Sequence, residues 1–301
     1  LKLRMAIRMS GVEPEARRIA EEAVRDMATY GLIDANAENL SFSSDSRQNP
    51  FYTQATSTSW QDLRSNASIV MYMNAYEDPR RASYFSKSGY DGIYVGVRAG
   101  IQNVTPTDYA TYSYPLFAEK DPVPVMYASE SWFLRAEGAL LGWTMGDTAE
   151  NLYNTGVKTS LELWGNGSSY ETYIASETAP ALSYADPRNK HNVSDFGTAV
   201  SVKWADDGNE LVRIITQKWI ANHMIGHEAW ADVRRTGYPR LLQVVNNLSG
   251  GMWGNVDSSK GMRRLHYPQS EYDNNRENVL KGVELLGGSD LHGTDVWWAK
   301  K

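Results

Sequence analysis

Glu130-Ser131-Trp132-Phe133-Leu134-Arg135-Ala136-Glu137-Gly138, continued by Gly142-Trp143 and then by Ala149-Glu150-Asn151-Leu152-Tyr153-Asn154-Thr155-Gly156-Val157, decides the architecture. Trp132, Ala136, Leu140 and Trp143 recur at three- and four-residue steps, which puts them on one face of a helix. Asp147 with Glu150 forms a capping-box pattern, and Leu152, Gly156 and Leu163 continue the helix it opens. Small Ala and Gly residues at the crossing let the two helices approach closely. Two helices joined by a short turn are the unit of tetratricopeptide-like repeats, which stack because one unit cannot bury its own face.

Residues 125–164 are therefore expected as a helical hairpin, and 1–33 as another. In the latter, Pro14 suits a first helical position, Ala16, Ile19, Ala20, Ala23, Val24 and Met27 mark one face, and Gly31 stops the chain. Residues 34–124 form a loop-rich insertion, rich in Ser, Thr, Asn, Gly and Tyr, with turn signals at Asn49-Pro50, Asp78-Pro79, Ser88-Gly89 and Asp91-Gly92. Within it Ile93-Tyr94-Val95-Gly96-Val97 reads as a short strand. A second irregular segment, 165–209, carries Asp186-Pro187-Arg188. Helical pattern returns over 210–301: through Arg235 with a bend at Gly226, from Tyr238-Pro239 to Val245, and from an Asn275 cap to Gly287-Gly288. Trp297-Trp298 is expected to pack as a terminal plug. The fold class is mostly α: helical hairpins with loop-rich segments and minor β, in one domain portion spanning 1–301.

Composition narrows the function. A chain of 301 residues with 42% hydrophobic content can bury a substantial core, and a net charge of −6 disfavours nucleic acid, whose phosphates need a basic face. No apolar run approaches the 18 or more residues of a membrane-spanning helix. The absence of cysteine excludes disulfides and thiolate metal sites. Aromatic usage is skewed, with 18 Tyr and 10 Trp against 6 Phe. Such side chains join a flat apolar face to a polar tip; they suit sugar stacking, and equally the capping of packed helices.

Thr216-Gln217-Lys218-Trp219, leading to Glu228-Ala229-Trp230-Ala231-Asp232-Val233-Arg234-Arg235-Thr236-Gly237-Tyr238-Pro239, and Arg263-Arg264-Leu265-His266-Tyr267-Pro268-Gln269-Ser270-Glu271-Tyr272 complete a pattern with the central pair and with Asp78-Pro79-Arg80. The combination resembles the SusD/RagB family along essentially the whole chain. That resemblance implies a surface lipoprotein of the outer membrane that captures an oligosaccharide or polysaccharide and passes it to a SusC-like TonB-dependent transporter, without catalysis. It also implies a lipid-anchoring cysteine upstream. Since Leu1 to Ser10 read as the middle of a helix, the chain is expected to be the C-terminal portion of a longer protein.

No catalytic constellation stands out. His223 and His227 are four apart, but the order of Glu228 is wrong for a zincin, and Asp206-Asp207-Gly208-Asn209-Glu210 lacks the alternation of a calcium loop. No metal or cofactor is expected. Glu130 and Glu137, a pair a glycoside hydrolase could use, read as helix-surface charge. Glu228, Trp230, Arg234, Arg235, Tyr267, Pro268 and Glu271 read as ties between helices and loops. The ligand-binding candidates are Tyr52, Trp60, Tyr76, Tyr84 and Tyr90 in the first irregular region and Trp253 in the Gly-rich 249–261 loop. Alternatives within reach of the sequence are a peptide-binding member of the same family, a glycoside hydrolase and a protein-binding helical scaffold.

Overall fold

A computed structural model describes residues 1–43, 47–55 and 63–300. Helices dominate, as expected. α1 (Lys2–Arg8) and α2 (Ala16–Arg25) make the N-terminal hairpin, and one further turn, α3 (Met27–Tyr30), ends at Gly31 with φ +71°. Ala16, Ala20, Ala23 and Val24 are buried at the predicted spacing. Pro14 lies in the turn before α2 rather than inside it.

The first irregular region holds more helix than its composition suggests. β1 (Leu40–Phe42) precedes three helices, α4 (Pro50–Ala55), α5 (Ala67–Ala75) and α6 (Arg81–Tyr84), and β2 (Val123–Met126) returns antiparallel to β1 with Phe42 opposite Val123. α5 escapes a periodicity search because Ala67, Ser68, Val70, Met71, Tyr72 and Met73 are all buried, leaving no polar stripe. Ile93–Val97 forms no strand, and only Val97 bridges, to Asn66.

α7 (Ala128–Leu140) and α8 (Ala149–Leu163) are the central pair. The α8 cap is Thr148, whose Oγ1 accepts from the Asn151 amide at 3.2 Å, rather than Asp147, which instead accepts from the Thr148 amide. α7 packs against α1, α8 and α10, so it is buried nearly all round, and only Trp132, Ala139 and Leu140 are not fully buried. Of the predicted face Trp132 is half-buried and Leu140 38% exposed, while Ala136, like Phe133 on the other side, is fully buried. A Cβ at Gly156 would stand 3.0 Å from the Phe133 ring, so glycine lets the two helices meet without that ring having to shift.

α9 (Tyr170–Ile174) leads to a hairpin of β3 (Ala181–Tyr184) and β4 (Val193–Thr198) that the composition of 165–209 did not reveal. α10 (Glu210–Ala221) and α11 (Gly226–Thr236) are separate helices, broken just before Gly226, and α12 (Gln269–Asn274) and α13 (Arg276–Leu286) close the chain, α13 ending at left-handed Gly287. The helix expected from Pro239 to Val245 is absent. After a cis Tyr238–Pro239 bond, the segment spends its amides elsewhere: Leu242 donates to Ser68 Oγ at 3.0 Å and Val245 to the Ala99 carbonyl at 2.8 Å. Trp298 lies under Arg8 and Arg234, while Trp297 is half exposed.

Two kinds of tie hold these pieces together. Tyrosine hydroxyls donate to distant carbonyls: Tyr72 to Arg240, Tyr76 to Val200, Tyr84 to Ile220, Tyr153 to Val202 and Tyr184 to Gly96, all within 2.7–3.1 Å. Burial raises each of these phenols, so each stays a donor. The excess of Tyr over Phe is thereby accounted for in part by structure. Buried ion pairs do the rest. Arg4 grips Glu130 with two bonds of 2.7 Å and also approaches Glu228, which Arg8 reaches too. Lys218 meets Asp232 at 2.8 Å, and Arg80, fully buried, is held by Asp78, Ser160 and Gln217.

Several resemblance-bearing residues tie distant segments. Trp230 Nε1 donates to the Met262 carbonyl, Arg234 Nη1 to that of Arg263, and the Tyr267 amide and Tyr272 hydroxyl both reach Asp290. Pro268 sits at the N-cap of α12 and Glu271 accepts from Asn275. Glu130 and Glu137 differ from expectation. They are 0% and 2% exposed, each gripped by an arginine, because α7 has no solvent face at those positions.

Candidate functional site

Antiparallel pairing of β1 with β2 ends at Phe42 and Val123. The segment before β2 is also held at Asn49, whose amide donates to the Glu119 carbonyl at 2.8 Å and whose Nδ2 donates to the Asp121 carbonyl at 2.9 Å. Gln48 Nε2 adds a bond to Glu119 Oε1 at 3.0 Å. Between the end of the ladder and this junction lies a groove of about 280 Å³, lined by Phe42, Arg47, Gln48, Asn49, Pro50, Lys120, Asp121 and Val123. Its size is just under the roughly 300–1,000 Å³ of most small-ligand sites.

Local sequence explains the shape. Asn49 Oδ1 accepts from the amides of Phe51 and Tyr52 at 2.8 and 3.3 Å, an N-terminal cap that starts α4 at Pro50. Phe51 stacks on Phe117 at 5.5 Å, fastening α4 to the opposite wall. On that wall Asp121 Oδ2 accepts from the Ala118 amide at 2.7 Å and closes a tight turn. The result is that Phe42, 67% exposed, lines the same groove as the polar side chains of Arg47, Gln48, Asn49, Lys120 and Asp121. An aromatic face with convergent donors and acceptors can hold a sugar ring by its C–H face and its hydroxyls together.

The sequence-selected residues do not gather at one place. Tyr52 is on α4 beside the groove, and Trp60 lies outside the described residues. Tyr76 and Tyr84, at 9% and 0% exposure with their hydroxyls spent on carbonyls, are core residues and offer no stacking face. Tyr90 is half-buried edge-on to Tyr112. Trp253, in the C-terminal lobe, stacks on His266 at 3.3 Å, and His266 Nδ1 is 2.7 Å from His292 Nε2. Sequence reasoning passed over Phe42, Arg47, Gln48, Lys120 and Asp121. The Asn49-Pro50 turn signal was the one trace of the groove.

The two histidines weighed as ligands are apart. His223 is buried and stacked on Tyr84 at 4.0 Å, and burial lowers its imidazole to about 3, whereas His227 is 68% exposed. Asp207 is engaged with Arg213, and Asp206 accepts from Trp204 Nε1, an ordinary acidic turn. Among the described residues no group of three His, Cys, Asp or Glu could hold a metal ion. Nor, among them, is any helix long and apolar enough to cross a membrane.

Residues 1–299 match the family model SusD-like, described as SusD and RagB outer membrane lipoprotein. The chain belongs to the SusD-like family. No curated protein matches it. Among solved structures, a SusD homolog from Bacteroides uniformis is 42% identical with a TM-score of 0.90, covering 100% of this chain and 63% of that one. A chitin-binding SusD homolog from Flavobacterium johnsoniae is 40% identical with a TM-score of 0.91, covering 100% and 62%. A SusD homolog from Bacteroides thetaiotaomicron is 40% identical with a TM-score of 0.89, covering 100% and 64%. The SusD-like chain thus spans less than two thirds of the length of these relatives.

Proposed function

We propose that this SusD-like chain is the glycan-capturing part of an outer-membrane lipoprotein, and that the groove between β1–β2 and α4 holds part of an oligosaccharide. The observation that carries the reading is the exposed Phe42 ring set against Arg47, Gln48, Lys120 and Asp121. The relative described as chitin-binding makes chitin oligosaccharides the first ligands to try. Capture is weak, with Kd of roughly 10 µM to 1 mM, worth about 4–7 kcal/mol.

Capture proceeds without cleavage. A glycosidase needs two carboxyl groups about 5–9.5 Å apart and open to substrate. Glu130 and Glu137, the pair on α7, are instead buried against Arg4 and Arg235. The captured glycan passes to a SusC-like TonB-dependent transporter at the cell surface, where a lipidated cysteine upstream of this chain tethers the protein. Titration against a panel of polysaccharides, with an assay for new reducing ends, tests the reading. Binding without release above a heat-killed control is expected, and release would contradict it. Co-purification of the full-length protein with a large barrel from detergent-extracted outer membranes tests the transporter.

A further inference from the structure

Phe42 and Val123 mark the last paired positions of a two-stranded ladder, and beyond them nothing in the ladder fixes how far the groove's walls stand apart. That spacing falls to the Gln48–Glu119 bond, the Phe51–Phe117 stack and Asn49. Asn49 is 5% exposed although its neighbours Gln48 and Pro50 are exposed, so its side chain is spent inward. Both ends of the amide are used. Oδ1 accepts from the Phe51 and Tyr52 amides, which fixes α4, and Nδ2 donates to the Asp121 carbonyl, which fixes the facing wall. The backbone amide of the same residue bonds the Glu119 carbonyl.

We propose that Asn49 is a positioning residue for ligand binding, setting the groove width and coupling it to the start of α4; this rests on the groove being the glycan site. The side-chain amide is required because each half has its own job. Asp would keep the acceptor that caps α4 but would turn a second oxygen toward the Asp121 carbonyl, where no proton remains to share. Ser would keep a cap and lose the reach across the groove. Ala would lose both. The chemistry therefore separates positioning from helix stability in a way that a purely structural cap would not.

The test compares wild type, Asn49→Asp, Asn49→Ala and Phe42→Ala by calorimetric titration with the tightest-binding oligosaccharide of the panel. Hydrogen exchange of peptides covering 50–55 and 117–124 is followed in the same proteins. Asn49→Asp is expected to weaken binding about five- to tenfold while exchange rises in 117–124 and stays unchanged in 50–55. In Asn49→Ala, exchange should rise in both segments. Unchanged affinity in Asn49→Asp alongside lost affinity in Phe42→Ala would overturn the positioning role and leave the groove reading standing. Unchanged affinity in both, or no binding by wild type, would overturn the groove reading and this inference with it.

Discussion

Arg235 on α11 donates from Nη1 and Nη2 to the two carboxylate oxygens of Glu137 on α7, the second bond at 2.9 Å, although the two are 98 positions apart in the chain. The side chains are 11% and 3% exposed. A pair so placed clamps the C-terminal helices to the central hairpin. Breaking one side leaves a buried charge, which costs roughly 3–5 kcal/mol. Because Asp232 also faces Arg235 at 3.3 Å, the loss should fall near the lower end. Glu137→Gln is expected to destabilise the protein by about 3 kcal/mol in urea unfolding. A midpoint equal to wild type would show that the pair is dispensable.

A tyrosine tie offers a finer probe. Tyr153 is fully buried and its hydroxyl donates to the Val202 carbonyl at 2.7 Å, joining α8 to the irregular segment before α10. Tyr153→Phe removes one oxygen and strands that carbonyl, a change worth about 1–3 kcal/mol. Thermal unfolding of the variant should fall accordingly, with the helical circular dichroism unchanged. No shift would mean that the carbonyl finds another donor.

The helical pairs were legible in the sequence because their spacing is a local pattern. Spacing places Ala16, Ala20 and Ala23 on one face of α2, and all three are buried. α5 and the inner face of α7 were not legible, since a helix surrounded by protein loses the polar stripe that periodicity detects. Glu130 looked like surface charge because its cation, Arg4, lies 126 residues away. Tyr76 and Tyr84 looked like sugar platforms because the carbonyls that claim their hydroxyls are 124 and 136 residues distant. The groove was hidden for the same reason. It exists only where Phe42 and residues 47–50 meet residues 120–123, and its aromatic ring is one of the rarer Phe rather than Tyr or Trp.

Acid should expose His223. Its folded-state value near 3 is lowered by burial, against about 6.5 in an unfolded chain. The unfolded state therefore takes up the proton first, so this contribution to stability is complete above about pH 6.5 and drains as pH falls toward 3. By pH 5, before most carboxylates titrate, the loss should be about 2 kcal/mol. His223→Phe, which keeps a ring against Tyr84, should show a flatter stability profile between pH 6.5 and 5. Parallel profiles for the two proteins would contradict the assignment.

Tyr84 separates core from site. Fully buried and stacked on His223, it should behave as a core residue, and Tyr84→Ala should cost about 3–5 kcal/mol, in the range of other large aromatic truncations. Chemical denaturation measures this directly. A variant as stable as wild type would mean that the ring is not part of the packed interior.

The central claim is that Phe42 is the stacking face of a glycan site, and its affinity is the most direct reading of it. Phe42 is 67% exposed, so Phe42→Ala should leave the melting temperature within a few degrees of wild type. Losing the ring's buried area and about 0.5–1.5 kcal/mol of face-specific contact should weaken oligosaccharide binding by about fivefold or more. Calorimetric titration of wild type and Phe42→Ala with the same ligand gives the answer. The account predicts a clear loss of affinity in a folded protein, and equal affinity in the two proteins would contradict it.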